Sequence, residues 1–153
     1  LDLAMEAESD LAEKLIENAL EDCVSAFDGF GRELCRLYAK QASNPGKAEK
    51  VSFQNLEIAR KNISSLFGYD LSAQLVPDKW QKVNRGFQKR HVIAHKMGVV
   101  DQEYLDKTSD PDSTVGRKIV ITEEDVRSTV AVVHMIALRL AESLPALENK
   151  EDG

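Results

Sequence analysis

Leu11, Leu15, Ala19, Cys23 and Phe27 recur every fourth residue, with Ile16, Leu20 and Val24 beside them. That spacing lines up side chains on one face of an α-helix and scatters them on a strand, so it constrains the fold more than any other feature of the chain. The same interval returns in Phe53, Leu56, Ile63 and Phe67, in Trp80, Val83 and Phe87, and in Val126, Val130, Val133, Ile136, Ala137 and Leu140. Hydrophobic residues make up 42% of the chain and aromatics only 6%, so the apolar content is mostly Leu, Ala, Ile and Val. The expectation is an all-α bundle of four to five helices.

Punctuation between the periodic stretches sets the boundaries. Asp28-Gly29-Phe30-Gly31 interrupts the first helix, because glycine weakens a helix interior; a kink and two successive segments both fit. Ser43-Asn44-Pro45-Gly46 is a break. Ser52 is expected to cap the second helix and Gly68 to end it. Pro77-Asp78 opens the third major helix and Gly98 ends it. Asp106 to Gly116 reads as a loop, and Lys118-Ile119-Val120-Ile121 as a short extended piece at most. Thr122 to Asp125 has capping-box form ahead of the last helix. Pro145 and the acidic run from Glu148 to Gly153 mark a fraying tail.

A chain of 153 residues suits one domain with one core. The reading is a single domain over residues 1–153, with its ordered core at about 11–145. A chain that opens on Leu1 rather than Met is expected to be a domain of a longer protein or a chain trimmed to its ordered part. No basic-then-apolar leader is expected, nor a membrane span, since no uninterrupted apolar run approaches the roughly 20 residues that a bilayer needs. Cys23 and Cys35 lie inside helical patterns and lack CxxC spacing, which predicts reduced core thiols in a cytoplasmic protein.

Charge is unevenly distributed. The total is −6, from 20 basic and 26 acidic residues, a balance that opposes phosphate binding. From Lys79 to Lys96, however, there are six Lys or Arg, two His and no Asp or Glu. Lys82, Arg85, Lys89 and Lys96 fall on one face of a helical wheel. They read either as a track for an RNA backbone or as a solvated face that pairs with the acidic first or last helix. Trp80 and Phe87 read as core rather than as base-stacking platforms, and His134 as a core or interface residue.

Three segments carry a family resemblance. They are Val24-Ser25-Ala26-Phe27-Asp28-Gly29-Phe30-Gly31-Arg32, then Phe87-Gln88-Lys89-Arg90-His91-Val92-Ile93-Ala94-His95 with Gly98-Val99-Val100-Asp101 and Tyr104-Leu105, then Gly116-Arg117-Lys118-Ile119-Val120-Ile121. Over roughly residues 11 to 141 the chain resembles the HEPN superfamily of helical nucleases and nuclease-derived modules. The family motif is Arg, four to six residues, then His, often with a polar residue after the Arg. Arg90 and His95 match it, and His91 stands where Asn or Asp is more usual.

The resemblance implies metal-independent RNA cleavage of the toxin–antitoxin or defence type. The ribose 2′-hydroxyl attacks the adjacent phosphate and leaves a cyclic phosphate end. Such chemistry needs a proton acceptor working near neutrality, for which His is suited, and a permanent positive charge on the phosphorane-like transition state, which Arg supplies. His95 is accordingly the acid/base and Arg90 the phosphate stabiliser, with His91 and Lys89 assisting. The resemblance also implies a homodimer whose motif residues line a shared cleft, and an antitoxin or regulatory protein as partner. On an ideal helix Arg90 and His95 point about 140° apart, so they converge only if the helix ends or bulges near His95 or a second subunit contributes its own pair.

Other readings stand beside this one. Arg90 also fits a plain surface cation, and His95 a helix-end residue favoured by the dipole. His91 and His95 stand at i and i+4, a spacing that can hold a metal, but no carboxylate or Cys completes an obvious set, so no metal and no cofactor are expected. The rival function is a HEPN-derived module that no longer cleaves and serves dimerisation or RNA or protein binding. A plain helical scaffold is the third, and it leaves the acid-free basic stretch unexplained.

Overall fold

The computed structural model describes residues 2–151, with side chains through residue 146. The described residues are helical, in the order α1 (Leu3–Leu37), a 3-10 turn (Ala39–Gln41), α2 (Pro45–Ala48), α3 (Leu56–Phe67), α4 (Pro77–His95), α5 (Gln102–Thr108) and α6 (Glu123–Glu151). Six α-helices stand where four to five were expected. The short ones, α2 and α5, have four and seven residues and too few turns to show a period.

The 35-residue α1 runs straight through Asp28-Gly29-Phe30-Gly31, where a kink or a break was expected. Gly31 is there for space: a Cβ on it would lie 2.6 Å from the Phe53 ring. Asp28 is buried because its carboxylate accepts the Phe53 N–H at 2.7 Å and faces Gln54 Nε2 at 3.4 Å. The segment reads as a helix breaker in the sequence, but it is the surface on which the loop before α3 docks. Phe27 then stacks edge-on against Phe53 and Phe87, with centroids 5.5 and 5.8 Å away. This aromatic trio joins α1, the loop and α4 at the centre of the main core, together with Val24, Ile63, Val83, Ile136 and Leu140.

Three boundaries differ from expectation. Asn55, not Ser52, caps α3 by accepting the Ile58 N–H at 3.0 Å. The expected loop from Asp106 begins inside α5, which Asp101 caps through Tyr104 N–H at 2.9 Å. α6 continues past Pro145 to Glu151. A proline removes one helical hydrogen bond, but Leu144 is fully buried against the core and keeps the helix in register there. Of the expected tail, residues 152 and 153 lie outside the described residues. Elsewhere the signals hold: Gly68 ends α3 at φ 66, Pro77 opens α4, and Thr122 and Asp125 cap each other reciprocally at 3.0 and 2.9 Å.

α6 packs along α1 and α4, and α4 is also held by α5. By length and composition alone, residues 123–146 of α6 could cross a membrane. Counting uninterrupted apolar residues misses this because Arg127, His134, Arg139 and Glu142 break the run. Between α1 and α6 the surface stays open and apolar. One depression of about 510 Å³ is lined by Leu15, Ile16, Ala19, Val126 and Val130, and another of about 500 Å³ by Ala19, Cys23, Phe30, Val133 and His134. The first turns of α1 are exposed, Leu3, Met5, Leu11 and Leu15 included.

A second, smaller core fixes the end of α4. Val92, Val100, Tyr104 and Ile119 pack together beneath it, with Ile93 and Leu105 at the margin. The backbone adds an antiparallel bridge between Val99 and Lys118, with Val100 N–H on Arg117 O at 2.9 Å and Ile119 N–H on Gly98 O at 2.7 Å. The expected extended piece at 118–121 is this bridge. Tyr104 OH donates to Asp110 at 2.6 Å and Ser113 Oγ to the same oxygen at 2.6 Å, so the loop after α5 is tied back to the small core. Burial pushes the Tyr104 hydroxyl far above its ordinary range, and the Asp110 carboxylate adds to that.

Candidate functional site

Arg90 leaves α4 on the side that faces α1. Its guanidinium forks onto Glu21, Nε on Oε2 at 2.7 Å and Nη2 on Oε1 at 3.0 Å, and the side chain is only 11% exposed. Ser25, one turn along α1, donates Oγ to Glu21 Oε1 at 3.4 Å. The hydrogen bond from Arg90 holds the Glu21 carboxyl below its ordinary range against the opposing pull of burial, with Ser25 and the charge of His95 on the same side. His95 thus lies within electrostatic reach of the carboxylate that grips Arg90. Of the five N–H donors a guanidinium carries, Glu21 takes two and leaves three.

α4 ends at His95, and Lys96, Met97 at φ 56 and Gly98 at φ 76 turn the chain away. His95 is exposed on the last turn and His91 is half-buried one turn earlier. Their ring centroids are 4.8 Å apart with planes tilted 49°. Burial first, then the neighbouring His95, Lys107 and Lys96, lower the His91 pKa, with Glu103 opposing. His91 is therefore biased toward its neutral form. Arg90 and His95 do not bond to each other. What joins their surroundings is Glu21, on the neighbouring helix.

The four basic residues do not assemble into one open track. Lys82 is exposed and pairs with Asp78 at 3.3 Å. Lys89 is buried: its ammonium donates to Val120 O at 2.8 Å and Asp125 Oδ2 at 3.0 Å. Burial pushes Asp125 upward, but the Thr122 N–H and Lys89 outweigh it and hold the carboxylate low. Arg85 is half-buried with Nε unpartnered, in a depression of about 160 Å³ that Lys82 and Lys89 share with Glu124 and Asp125. Lys96 sits beyond the helix end, against Asp101 at 3.4 Å and Glu103 at 3.8 Å. A helical wheel puts these side chains on one face but cannot show that the start of α6 covers part of it.

Glu21 and Ser25 are the site residues that sequence reasoning missed. Glu21 borders the buried stripe of Leu20, Val24 and Phe27, which predicts a half-buried carboxylate. Nothing in the sequence marks it out among 26 acids as the partner of Arg90. The remaining expectations find plain places. Trp80 and Phe87 are buried in the core, and Trp80 Nε1 donates to Glu57. His134 is exposed on the α1–α6 groove. Cys35 is buried and its thiol is pushed up to about 12 by burial; Cys23 is half-buried and raised for the same reason. Among the described residues no three His, Cys, Asp or Glu side chains converge as a metal cluster. No family model, no curated protein and no solved structure matches the chain.

Proposed function

We propose that the chain is a HEPN-like, metal-independent endoribonuclease, with Arg90 and His95 as its working pair. The observation that carries this reading is the Glu21–Arg90 fork beside an exposed His95 at the end of α4. Two hydrogen bonds to Glu21 orient the guanidinium and leave three N–H donors without a carboxylate partner, on a side chain that is 11% exposed; a phosphate oxygen reaching them would meet donors already positioned as charge builds on phosphorus. His95 takes the proton of the ribose 2′-hydroxyl. The 2′-oxygen bonds to phosphorus, the bond from phosphorus to the 5′-oxygen breaks, and that oxygen leaves with a proton from water or from His95 of a second copy. The half-buried, neutral-leaning His91 orients its neighbour. Lys89 supports the site through α6 and not through RNA.

A homodimer follows from the same reading. The apolar α1–α6 groove, with the exposed Leu15 and Val130 in its lining, supports a second copy as the partner on that side.

The test is cleavage of a mixed RNA pool in EDTA with end-group analysis. The products should carry 2′,3′-cyclic phosphate, and DNA of the same sequence should stay intact. His95→Ala removes proton transfer, typically worth about 10²–10⁴ in rate. Arg90→Ala removes a transition-state donor, typically worth a few kcal/mol, and Arg90→Lys restores little because an ammonium lacks the fork. If wild type cuts nothing and both alanine variants behave as wild type in binding, the catalytic reading fails. The alternative is then a non-catalytic module for dimerisation or protein or RNA binding. One observation favours it: Lys82, Lys89 and Lys96 already face carboxylates of this chain, so little of the basic stretch is free for RNA.

A further inference from the structure

The end of α4 offers two imidazoles and little else. His91 and His95 are one turn apart on the same helix, so their rings share a face. One is half-buried and the other exposed. The separation of their rings bears on what they can hold together. A borderline divalent cation binds imidazole nitrogen at about 2.0–2.1 Å, and the ring centre lies about 1.1 Å further on. Two imidazoles on one such ion therefore have centroids about 5.2 Å apart at a tetrahedral angle and about 4.5 Å apart at a right angle. The observed 4.8 Å lies between these values, and the 49° tilt is not the parallel face-to-face arrangement of simple ring stacking.

The charges around His91 weigh against a cation, with His95, Lys107 and Lys96 on one side and Glu103 on the other, so an ion would be held by the two ring nitrogens rather than drawn in by charge. Lys107 and Lys96 approach His91 and oppose a cation, but both already pair with Glu103, at 2.6 and 3.8 Å. On the other side, His95 adds its charge to the groups that hold the Glu21 carboxyl low. Among the described residues no third His, Cys, Asp or Glu completes a cluster, so water or a substrate oxygen would fill the remaining positions. An open two-nitrogen chelate of this kind suits Zn²⁺, Ni²⁺ or Cu²⁺. Mg²⁺ and Ca²⁺ require oxygen donors.

We propose that His91 and His95 form a two-imidazole site for a borderline divalent transition cation, with Zn²⁺ as the reference ion. The ion is a ligand of the site and not a participant in cleavage. A regulatory consequence rests on the ribonuclease reading above: an ion on the His95 lone pair blocks proton acceptance, so Zn²⁺ inhibits and a chelator restores activity.

The experiment is calorimetric titration of the chelator-stripped full chain with ZnCl₂, NiCl₂ and MgCl₂, with circular dichroism to verify that each variant is folded. Zn²⁺ and Ni²⁺ should bind saturably at one ion per chain, and Mg²⁺ should give no heat of binding. His91→Ala and His95→Ala should each weaken Zn²⁺ by more than about tenfold, the least expected when a ligand rather than its support is lost. His134→Ala and Cys23→Ser should bind as wild type does. Absence of saturable Zn²⁺ binding, or binding undiminished in both folded variants of the pair, overturns the site. Cleavage assays form a separate arm, in which inhibition should follow the binding isotherm. If the wild-type chain cuts no RNA, the titration still decides the cation site, while the ribonuclease reading fails by itself.

Discussion

At the scale of single residues, Glu21 is where stability and the proposed chemistry meet. Hydrogen bonds to charged groups are worth roughly 1.5–3 kcal/mol when shielded, but the Glu21 side chain is 43% exposed, so solvent screening reduces the pair to about 1 kcal/mol. Glu21→Gln should therefore cost about 1 kcal/mol in urea denaturation at pH 7. The folded pKa of Glu21 lies below its ordinary value of 4.5. Its stabilisation is thus fully present above pH 4.5 and is lost as pH falls through the folded value, so the gap between wild type and Glu21→Gln should close in acid. A gap that stays constant down to the acid limit would contradict the ion pair. Arg90, His91 and His95 enter the proposal from the sequence because a spaced motif names its members. Glu21 and Ser25 do not, because their role arises from α1 lying beside α4, a proximity no local pattern encodes. Lys89 shows the converse: its charge and its pairing with the last helix, at Asp125, were legible, and its burial was not.

At the scale of elements, glycine carried the most misleading signal. Intrinsic propensity ranks Gly29 and Gly31 as equal liabilities in α1, yet they differ in what surrounds them. A Cβ at Gly29 meets nothing within 4 Å, while one at Gly31 meets the Phe53 ring at 2.6 Å. Gly29→Ala should raise stability by about 0.5–1 kcal/mol through helix propensity. Gly31→Ala gains the same term but overpacks the core, typically at about 1–3 kcal/mol, and should come out destabilised by about 1–2 kcal/mol. Urea denaturation of the two variants side by side decides the matter, and equal effects would remove the docking role assigned to Gly31. The long helices, Gly68, Pro77 and the Thr122–Asp125 box were legible because their signals are local. α5 was not, because Gln102 to Thr108 spans only two turns, too few to show a period, and is held by the Asp101 cap and by Tyr104 in the small core. The tail proline misled for a similar reason, since burial of Leu144 outweighs it.

At the scale of the whole molecule, the exposed groove between α1 and α6 makes association the first property to measure. Multi-angle light scattering should give twice the 17.0 kDa chain mass at micromolar concentration. Leu15→Glu together with Val130→Glu should return the monomer, since both residues line the groove. A wild-type monomer at high concentration would refute a second copy on the groove. A different consequence follows from Asp125, whose Oδ2 accepts both the Thr122 N–H at 2.9 Å and Lys89 Nζ at 3.0 Å. The opening turn of a helix is ordinarily where amide protons are lost to solvent first. Here one oxygen fastens that turn to the buried side of α4, whereas the opening turns of α1 lie bare. In deuterium exchange the amides of Asp125 and Val126 should be retained with those of the core, while residues 4–12 exchange within the first time point. Lys89→Met should release Asp125 and Val126 and leave α1 as it was; if their exchange does not quicken, Lys89 is not what holds the start of α6 closed.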